Sequence, residues 1–384
     1  MTHSADYDLV VVGAGPAGSA AALAALREDP SARVLLLDRS DLGRDKVCGD
    51  GIAPHAVVEL DRLGVTGVLP EEIVPAVRLS APHGSSAAAV TAWPGFVVPR
   101  AVFDERLALA AIAAGAQFER RKVATLTQSA DSVLVDGIIR TRAVVAADGS
   151  NSVVRRILGE PANRGSALAV AIRGYAATPP GAPAELSIRW DLIRAGGLCY
   201  AWAFPTSDGT TNVGYGMSSA GLTGGREQLL GRMRALLPDY DLDGVRLTGH
   251  TLPLSVSRPR PARGRVLLVG DAASLINPIT GEGIYAAIAS GALAGAAAIA
   301  DPQVAAARYR RRLAALFGRQ HAQLRTLYPL INSRLVLDAV IRACQRDRRV
   351  FDRVLDVGLA DASFTPADAV RVARLGLPRR AAAR

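Results

Sequence analysis

Residues 7–39 read YDLVVVGAGPAGSAAALAALREDPSARVLLLDR, and few folds accommodate that order. Leu9 to Val12 is a short, fully apolar run, as in a strand buried on both faces. It enters Gly13-Ala14-Gly15-Pro16-Ala17-Gly18, and an alanine-rich segment of helical composition follows to about Leu26. A second apolar run, Val34 to Leu37, ends at Asp38, with Arg39 behind it. Strand, glycine turn, helix, strand and acid in this order form a dinucleotide-binding fingerprint. Gly13 makes the tight turn, Gly15 lets backbone approach a pyrophosphate, and Gly18 lets the helix pack closely on the strand. The helix start presents free N–H groups to phosphates, and Asp38 can accept hydrogen bonds from ribose hydroxyls.

The chain of 384 residues is long enough for two domains or one composite domain, and 49 % apolar residues supply a core. With 21 % charged residues it does not read as disordered. The net charge is +10, mostly arginine and dense after Arg308. A solvated surface explains that surplus; steering of an anionic nucleotide or contact with an anionic membrane are the sharper readings. No nucleic-acid motif accompanies it, so basicity alone names no such partner. Cys48, Cys199 and Cys344 are an odd count without metal spacing, which fits a reducing cytoplasm and no disulfide framework. The five histidines, His3, His55, His83, His250 and His321, make no metal-like pair, so no metal site is expected. His55 reads as a helix-surface residue. The N-terminus has no basic region followed by an apolar core, so no signal peptide is expected. Residues 284–300 are uncharged but too short and too rich in alanine and glycine to span a bilayer, and read as a buried helix.

A polar, glycine-rich loop follows Asp38 and carries Arg44-Asp45-Lys46-Val47-Cys48-Gly49-Asp50-Gly51. Helices are expected from Pro54 to about Gly64 and over 103–114, with strands and turns over 74–98 between them. Strands are expected over 123–126, 132–135 and 138–146, the last ending at Asp148-Gly149. From 167 to 251 the period becomes that of an antiparallel sheet, with strands at 186–193, 199–204 and 212–217 and a helix at 226–237. Val266 to Val269 returns as a buried strand into Gly270-Asp271. From Gln303 the chain reads as helical, with Leu313, Leu316, Leu324 and Leu327 as an apolar stripe and Arg310, Arg311 and Arg312 outward. Residues 377–384 read as a loose tail.

Three glycine-acid turns therefore follow apolar strands: Gly13 to Gly18, Asp148-Gly149 and Gly270-Asp271. In this order and spacing they resemble the FAD-dependent enzymes built like para-hydroxybenzoate hydroxylase. The Arg44 to Gly51 loop and the stretch Tyr200-Ala201-Trp202-Ala203-Phe204-Pro205, with Asn212-Val213-Gly214 after it, are similar to motifs of the geranylgeranyl reductase family. The resemblance implies an α/β fold: a Rossmann-type FAD-binding domain, an antiparallel β-sheet substrate domain and a helical C-terminus. The implied boundaries are 1–75 with 100–165 and 263–300 for FAD, 76–99 with 166–262 for substrate, and 301–384 for the helical segment. For FAD it implies Gly13, Gly15, Pro16, Ala17, Gly18, Asp38, Arg39, Cys48, Gly49, Arg100, Val123, Asp148, Gly149, Asp271, Gly281, Gly283 and Ile284. Cys48, Tyr200 and Trp202 are implied beside the reacting bond, Cys48 as a thiol kept protonated by burial.

The activity this implies is reduction of carbon–carbon double bonds in a prenyl, quinone or related apolar substrate. No second dinucleotide fingerprint is present, so NADH, NADPH or another electron carrier would dock only transiently. Only one arginine-dense helix is evident after Asp301, which leaves room for a smaller or ring-shaped substrate. A flavin monooxygenase shares the glycine and acid turns and is the alternative. A flavin-dependent halogenase fits less well, because its Trp-x-Trp-x-Ile-Pro stretch and its lysine after the first glycine motif are missing. A non-enzymatic flavin-binding module fits so complete a cofactor frame least well.

Overall fold

The computed structural model describes residues 6–69, 73–82, 84–192, 197 and 199–377. The chain begins with β1 (Tyr7–Val12), α1 (Pro16–Glu28), β2 (Val34–Asp38), β3 (Gly51–Ile52), α2 (Pro54–Arg62), β4 (Val74–Ser80), β5 (Ser86–Val97) and α3 (Arg100–Ala113). Next come β6 (Gln117–Arg120), β7 (Leu126–Gln128), β8 (Val133–Val135), β9 (Ile139–Ala146) and α4 (Val153–Ile157). The middle holds β10 (Leu168–Ala177), β11 (Glu185–Trp190), β12 (Cys199–Pro205), β13 (Thr210–Ser218), α5 (Gly225–Leu236) and β14 (Thr248–Pro253). The chain closes with β15 (Ala262–Arg263), β16 (Val266–Leu268), α6 (Ile284–Ala300), α7 (Ala305–Leu327), α8 (Arg334–Arg346), α9 (Arg348–Leu359) and α10 (Pro366–Gly376).

One sheet runs in the order β15-β16-β9-β1-β2-β6, with β8 on β9 and β7 on β8. Its central pairs β2–β1, β1–β9 and β9–β16 are parallel, so three strand ends deliver their glycine turns to the same edge. Leu9 to Val12 and all of β2 are buried, because helices cover the sheet. The alanine-rich composition of α1 and α6 now has a cause. A Cβ at Gly291 would lie 2.0 Å from the Ala17 carbonyl oxygen, and one at Gly295 would lie 2.0 Å from that of Ala21. Two glycines one turn apart thus let α6 press its backbone onto α1.

The second sheet runs β14-β10-β13-β12-β11-β4-β5-β3 and is antiparallel except between β11 and β4. Side chains alternate across β12. Cys199, Ala201 and Ala203 pack under α5 with Leu229 and Met233. Tyr200, Trp202 and Phe204 take the other face, which looks into a cavity.

Two expectations change. Residues 123–125 are not strand: the Ala124 and Thr125 N–H groups donate to the Asp136 carboxylate at 2.8 and 2.9 Å, so β7 starts only at Leu126. The C-terminus is larger than one helix, because α8, α9 and α10 follow α7 and pack Leu337, Ile341 and Phe351 against Val77, Leu79, Ile188 and Trp190. On α7, Leu313 and Leu324 are buried while Leu316 and Leu327 are half-buried; Arg310, Arg311 and Arg312 are exposed. The expected strand end at Ile193 and the tail from Pro378 on lie outside the described residues.

Candidate active site

The glycine turns have separable tasks. Gly13 sits at φ +106°, and a Cβ there would lie 2.3 Å from the Ala147 carbonyl oxygen, so both its conformation and its contact require glycine. A Cβ at Gly18 would lie 1.8 Å from the Gly13 carbonyl oxygen; this glycine seats α1 and does not line the cavity. Gly15 differs, since a Cβ there would find nothing nearer than Asp104 Oδ2 at 3.9 Å. Its bare face opens into the cavity, and no side chain caps the start of α1. Asp38 accepts from the Ala14 and Ser40 N–H groups, both at 2.9 Å, which ties the end of β2 to the turn. Asp148 accepts from Ser152 Oγ at 2.6 Å and from the Val153 N–H at 2.7 Å, so it caps α4 while also lining the cavity.

Arg100 is 4 % exposed and holds Asp104 in two parallel bonds of 2.6 and 2.7 Å. Its guanidinium also reaches Cys48. Lys46 Nζ donates to Asp271 Oδ2 at 2.9 Å. Burial opposes ionisation of Asp271, but Lys46, together with His250 and Arg100, holds this carboxyl below its usual range. Beside them, burial and then Lys46 push His250 down to about 4, and its Nε2 lies 3.0 Å from Ser150 Oγ. Burial pushes the Glu282 carboxyl up to about 7, although Oε1 accepts from the Tyr285 N–H at the start of α6. Sequence reasoning singled out none of Lys46, His250 and Glu282 as site residues, and all three line the cavity.

The Cys48 loop is held from behind. Arg173, 2 % exposed, donates from Nη2 to Asp45 at 2.6 Å and to the Lys46 carbonyl at 3.0 Å, and from Nε to the Cys48 carbonyl at 3.2 Å. Asn212 Nδ2 donates to the same Cys48 carbonyl at 2.9 Å and to Asp50 Oδ2 at 2.8 Å. Asn212 Oδ1 accepts from Trp202 Nε1 at 2.9 Å, so one amide links the loop to the aromatic wall. Gly214, opposite Trp202 on β13, explains the rest of that stretch: a Cβ there would lie 2.1 Å from the indole ring. The Tyr200 and Trp202 rings lie 5.8 Å apart, and the Tyr200 hydroxyl donates to the Thr280 carbonyl before α6. Cys48 is half-buried; its open side faces the cavity rather than bulk water, and burial pushes its thiol up.

Lys46, Cys48, Arg100, Tyr200, Trp202, His250, Asp271 and Glu282 border one cavity of about 1150 Å³, while Arg173, Asn212 and Gly214 stand behind its wall. Of the residues expected to meet a cofactor, Gly13, Gly15, Pro16, Ala17, Asp38, Arg39, Cys48, Gly49, Arg100, Val123, Asp148, Gly149, Asp271, Gly281, Gly283 and Ile284 line it; Gly18 does not. Cys48, Tyr200 and Trp202 share its middle, where a Cβ at Gly49 would lie 3.3 Å from Trp202 Nε1. The far end comes from α8, α9 and α10 and is mostly apolar, with Leu337, Ile341, Val354, Leu355 and Val372, although Asp352 and Asp356 of α9 also line the cavity. His55 also lines the cavity and meets Tyr285 edge to face at 5.9 Å, so it is more than a surface residue. No group of metal-ligating side chains occurs among the described residues.

The near end fits a dinucleotide. The unobstructed face of Gly15, the uncapped start of α1 and the buried Arg100 are what a pyrophosphate needs, and the cavity has room for a fused ring beyond them. No protein-family model matches the chain. It is 34 % identical over 315 residues to the menaquinone reductase of Mycolicibacterium smegmatis, covering 75 % of each chain. It is 33 % identical over 315 residues to digeranylgeranylglycerophospholipid reductase 1 of Methanopyrus kandleri, covering 77 % of this chain and 80 % of the relative. Among solved structures, the fold is shared with a geranylgeranyl bacteriochlorophyll reductase-like protein of Thermoplasma acidophilum, at a TM-score of 0.78, 23 % identity and 96 % of each chain. With curated relatives this similar across three quarters of its length, and a cavity frame suited to the cofactor, the chain belongs to the geranylgeranyl reductase family of FAD-dependent oxidoreductases.

Proposed function

We propose that this enzyme reduces carbon–carbon double bonds in the isoprenoid part of an apolar substrate, a prenylated quinone or a prenyl lipid. The carrying observation is the single cavity that joins the glycine turns to an apolar far end past Cys48, Tyr200 and Trp202. The names of the two relatives, menaquinone reductase and digeranylgeranylglycerophospholipid reductase, point to the same substrate class.

Reduced FAD, when bound, supplies the hydride. Gly13, Gly15, Pro16, Ala17 and the start of α1 would cradle its pyrophosphate, with Asp38 and Arg39 at the ribose side. Gly49, Arg100, Val123, Asp148, Gly149, Asp271, Gly281, Gly283 and Ile284 complete that cradle. Tyr200 and Trp202 orient the alkene and keep water from it. The Cys48 thiol, kept protonated by burial, gives its proton to the alkene carbon that does not receive the hydride. Hydride and proton together saturate the bond, and the thiolate regains its proton from water. The exposed Arg39 and Lys122 stand at the cofactor mouth of the cavity, where an anionic reductant (NADH, NADPH or another electron carrier) meets the protein transiently.

The test is anaerobic reduction of the bound flavin, followed by a prenylated quinone with and without oxygen. Recovery of flavin absorbance on adding the quinone, with a saturated product, is expected. Cys48→Ala keeps FAD and its reduction but slows that recovery by about 10²-fold, the usual share of a positioned proton donor. Rapid oxygen consumption with a hydroxylated product would instead establish a monooxygenase.

A further inference from the structure

The last helix of the described chain packs Val372 and Leu375 inward yet keeps a second apolar face toward water. Of the eleven residues of α10 only Gly376 is buried. Two of its three charged residues, Asp368 and Arg371, are paired with Arg353 and Asp347 at 3.4 Å each. Its outward face carries Ala369, Val370, Ala373 and Arg374, and Leu377 follows just past its end, with Val370 and Leu377 both 67 % exposed. The start of α8 adds Leu335, at 77 % the most exposed large apolar side chain among the described residues. These residues surround an opening: Leu330, Val336, Ala369 and Ala373 line the cavity and are also exposed.

Charge singles out the same region. Residues 305–377 hold fourteen arginines and six aspartates, with no lysine or glutamate, and so carry eight of the ten net positive charges. Residues 1–304 come out close to neutral. Arg334 beside Leu335 and Arg374 on the outward face of α10 are exposed and make no ion pair among the described residues. An apolar helix face flanked by two unpaired arginines matches the two requirements of an interfacial helix on an anionic bilayer. A two-fold dimer through this face would bring each basic patch against its own copy, which charge opposes.

We infer that α10 and the start of α8 dock on an anionic lipid bilayer, with Leu335, Val370 and Leu377 in the headgroup boundary, so that the apolar end of the cavity opens into the membrane. The inference deepens the proposed function, since a prenyl substrate dissolved in the bilayer would then enter without crossing water. The test is sedimentation of the FAD-loaded full chain with vesicles of phosphatidylcholine alone or with about 30 % phosphatidylglycerol. Binding is expected to the mixed vesicles only and to weaken between about 50 and 500 mM salt. Leu335→Glu combined with Val370→Glu alters two exposed positions that do not line the cavity. It should keep FAD content and melting temperature and lose vesicle binding by about tenfold or more. Undiminished binding of the double variant, or no wild-type binding to either vesicle, overturns the inference. So does a wild-type dimer that the double variant dissociates, which would show that a second copy covers the face. Because binding is read without substrate, either result leaves the reductase reading to its own test.

Discussion

Asp50 is fully buried, sits at φ +61° and has one carboxylate oxygen, Oδ1, without a partner among the described residues. Burial pushes it up to about 6, against partial relief from Tyr175, Arg173 and Asn212. The folded chain therefore binds this proton more tightly than the unfolded chain does. Its contribution to stability is largest below about pH 4, falls as pH rises to about 6, and is constant above that. Asp50→Asn keeps the shape, tolerates the left-handed backbone and cannot ionise. The stability difference between variant and wild type should grow in the variant's favour by roughly 3 kcal/mol across that window, read from urea midpoints at several pH values. A second residue-scale outcome concerns Gly214. Gly214→Ala should leave FAD content intact but displace the Trp202 ring by contact with its backbone-borne methyl, lowering kcat/KM by about 10²-fold. Gly13, Gly15 and Asp38 were legible in the sequence because a local backbone turn dictates them. Asp50 was not legible as a titrating group, because Tyr175 and Asn212, which create its environment, lie 125 and 162 residues away. His250 and Glu282 escaped for the same reason: burial, not a local pattern, makes them unusual.

At the scale of elements, two glycines of similar appearance predict different failures. Gly15→Val has open space before it, so the chain should fold normally while flavin content falls by about tenfold or more, measured by absorbance after purification. Gly291→Ala puts a methyl where the Ala17 carbonyl stands, so α6 must retreat from α1. It should cost about 1–3 kcal/mol, seen as a lower melting temperature of the apoprotein and holoprotein alike. Periodicity read these elements well where one face or both are apolar, as in β1, β2, β12 and α6. It failed at residues 123–125, where an aspartate side chain takes up the N–H groups that a neighbouring strand would have used. It also saw a single helix where α8, α9 and α10 follow α7, since their short, arginine-rich stripes acquire meaning only against the second sheet.

For the whole molecule, the cavity divides along the chain as well as in space. Its cofactor end is assembled from pieces scattered between Val12 and Ile284, whereas the apolar far end comes largely from one uninterrupted run, residues 334–373, against the second sheet. Val340→Trp, at the far end, should lower kcat/KM for a long prenyl chain by about tenfold while leaving a two-isoprene analogue nearly unaffected, measured as steady-state turnover of both. No described helix is long and apolar enough to cross a membrane. The contiguity of residues 334–373 makes substrate length an exchangeable trait. One segment swapped between relatives would retune which chains fit, provided it keeps the Val357 and Gly358 carbonyls that accept from Asn277 and Thr280.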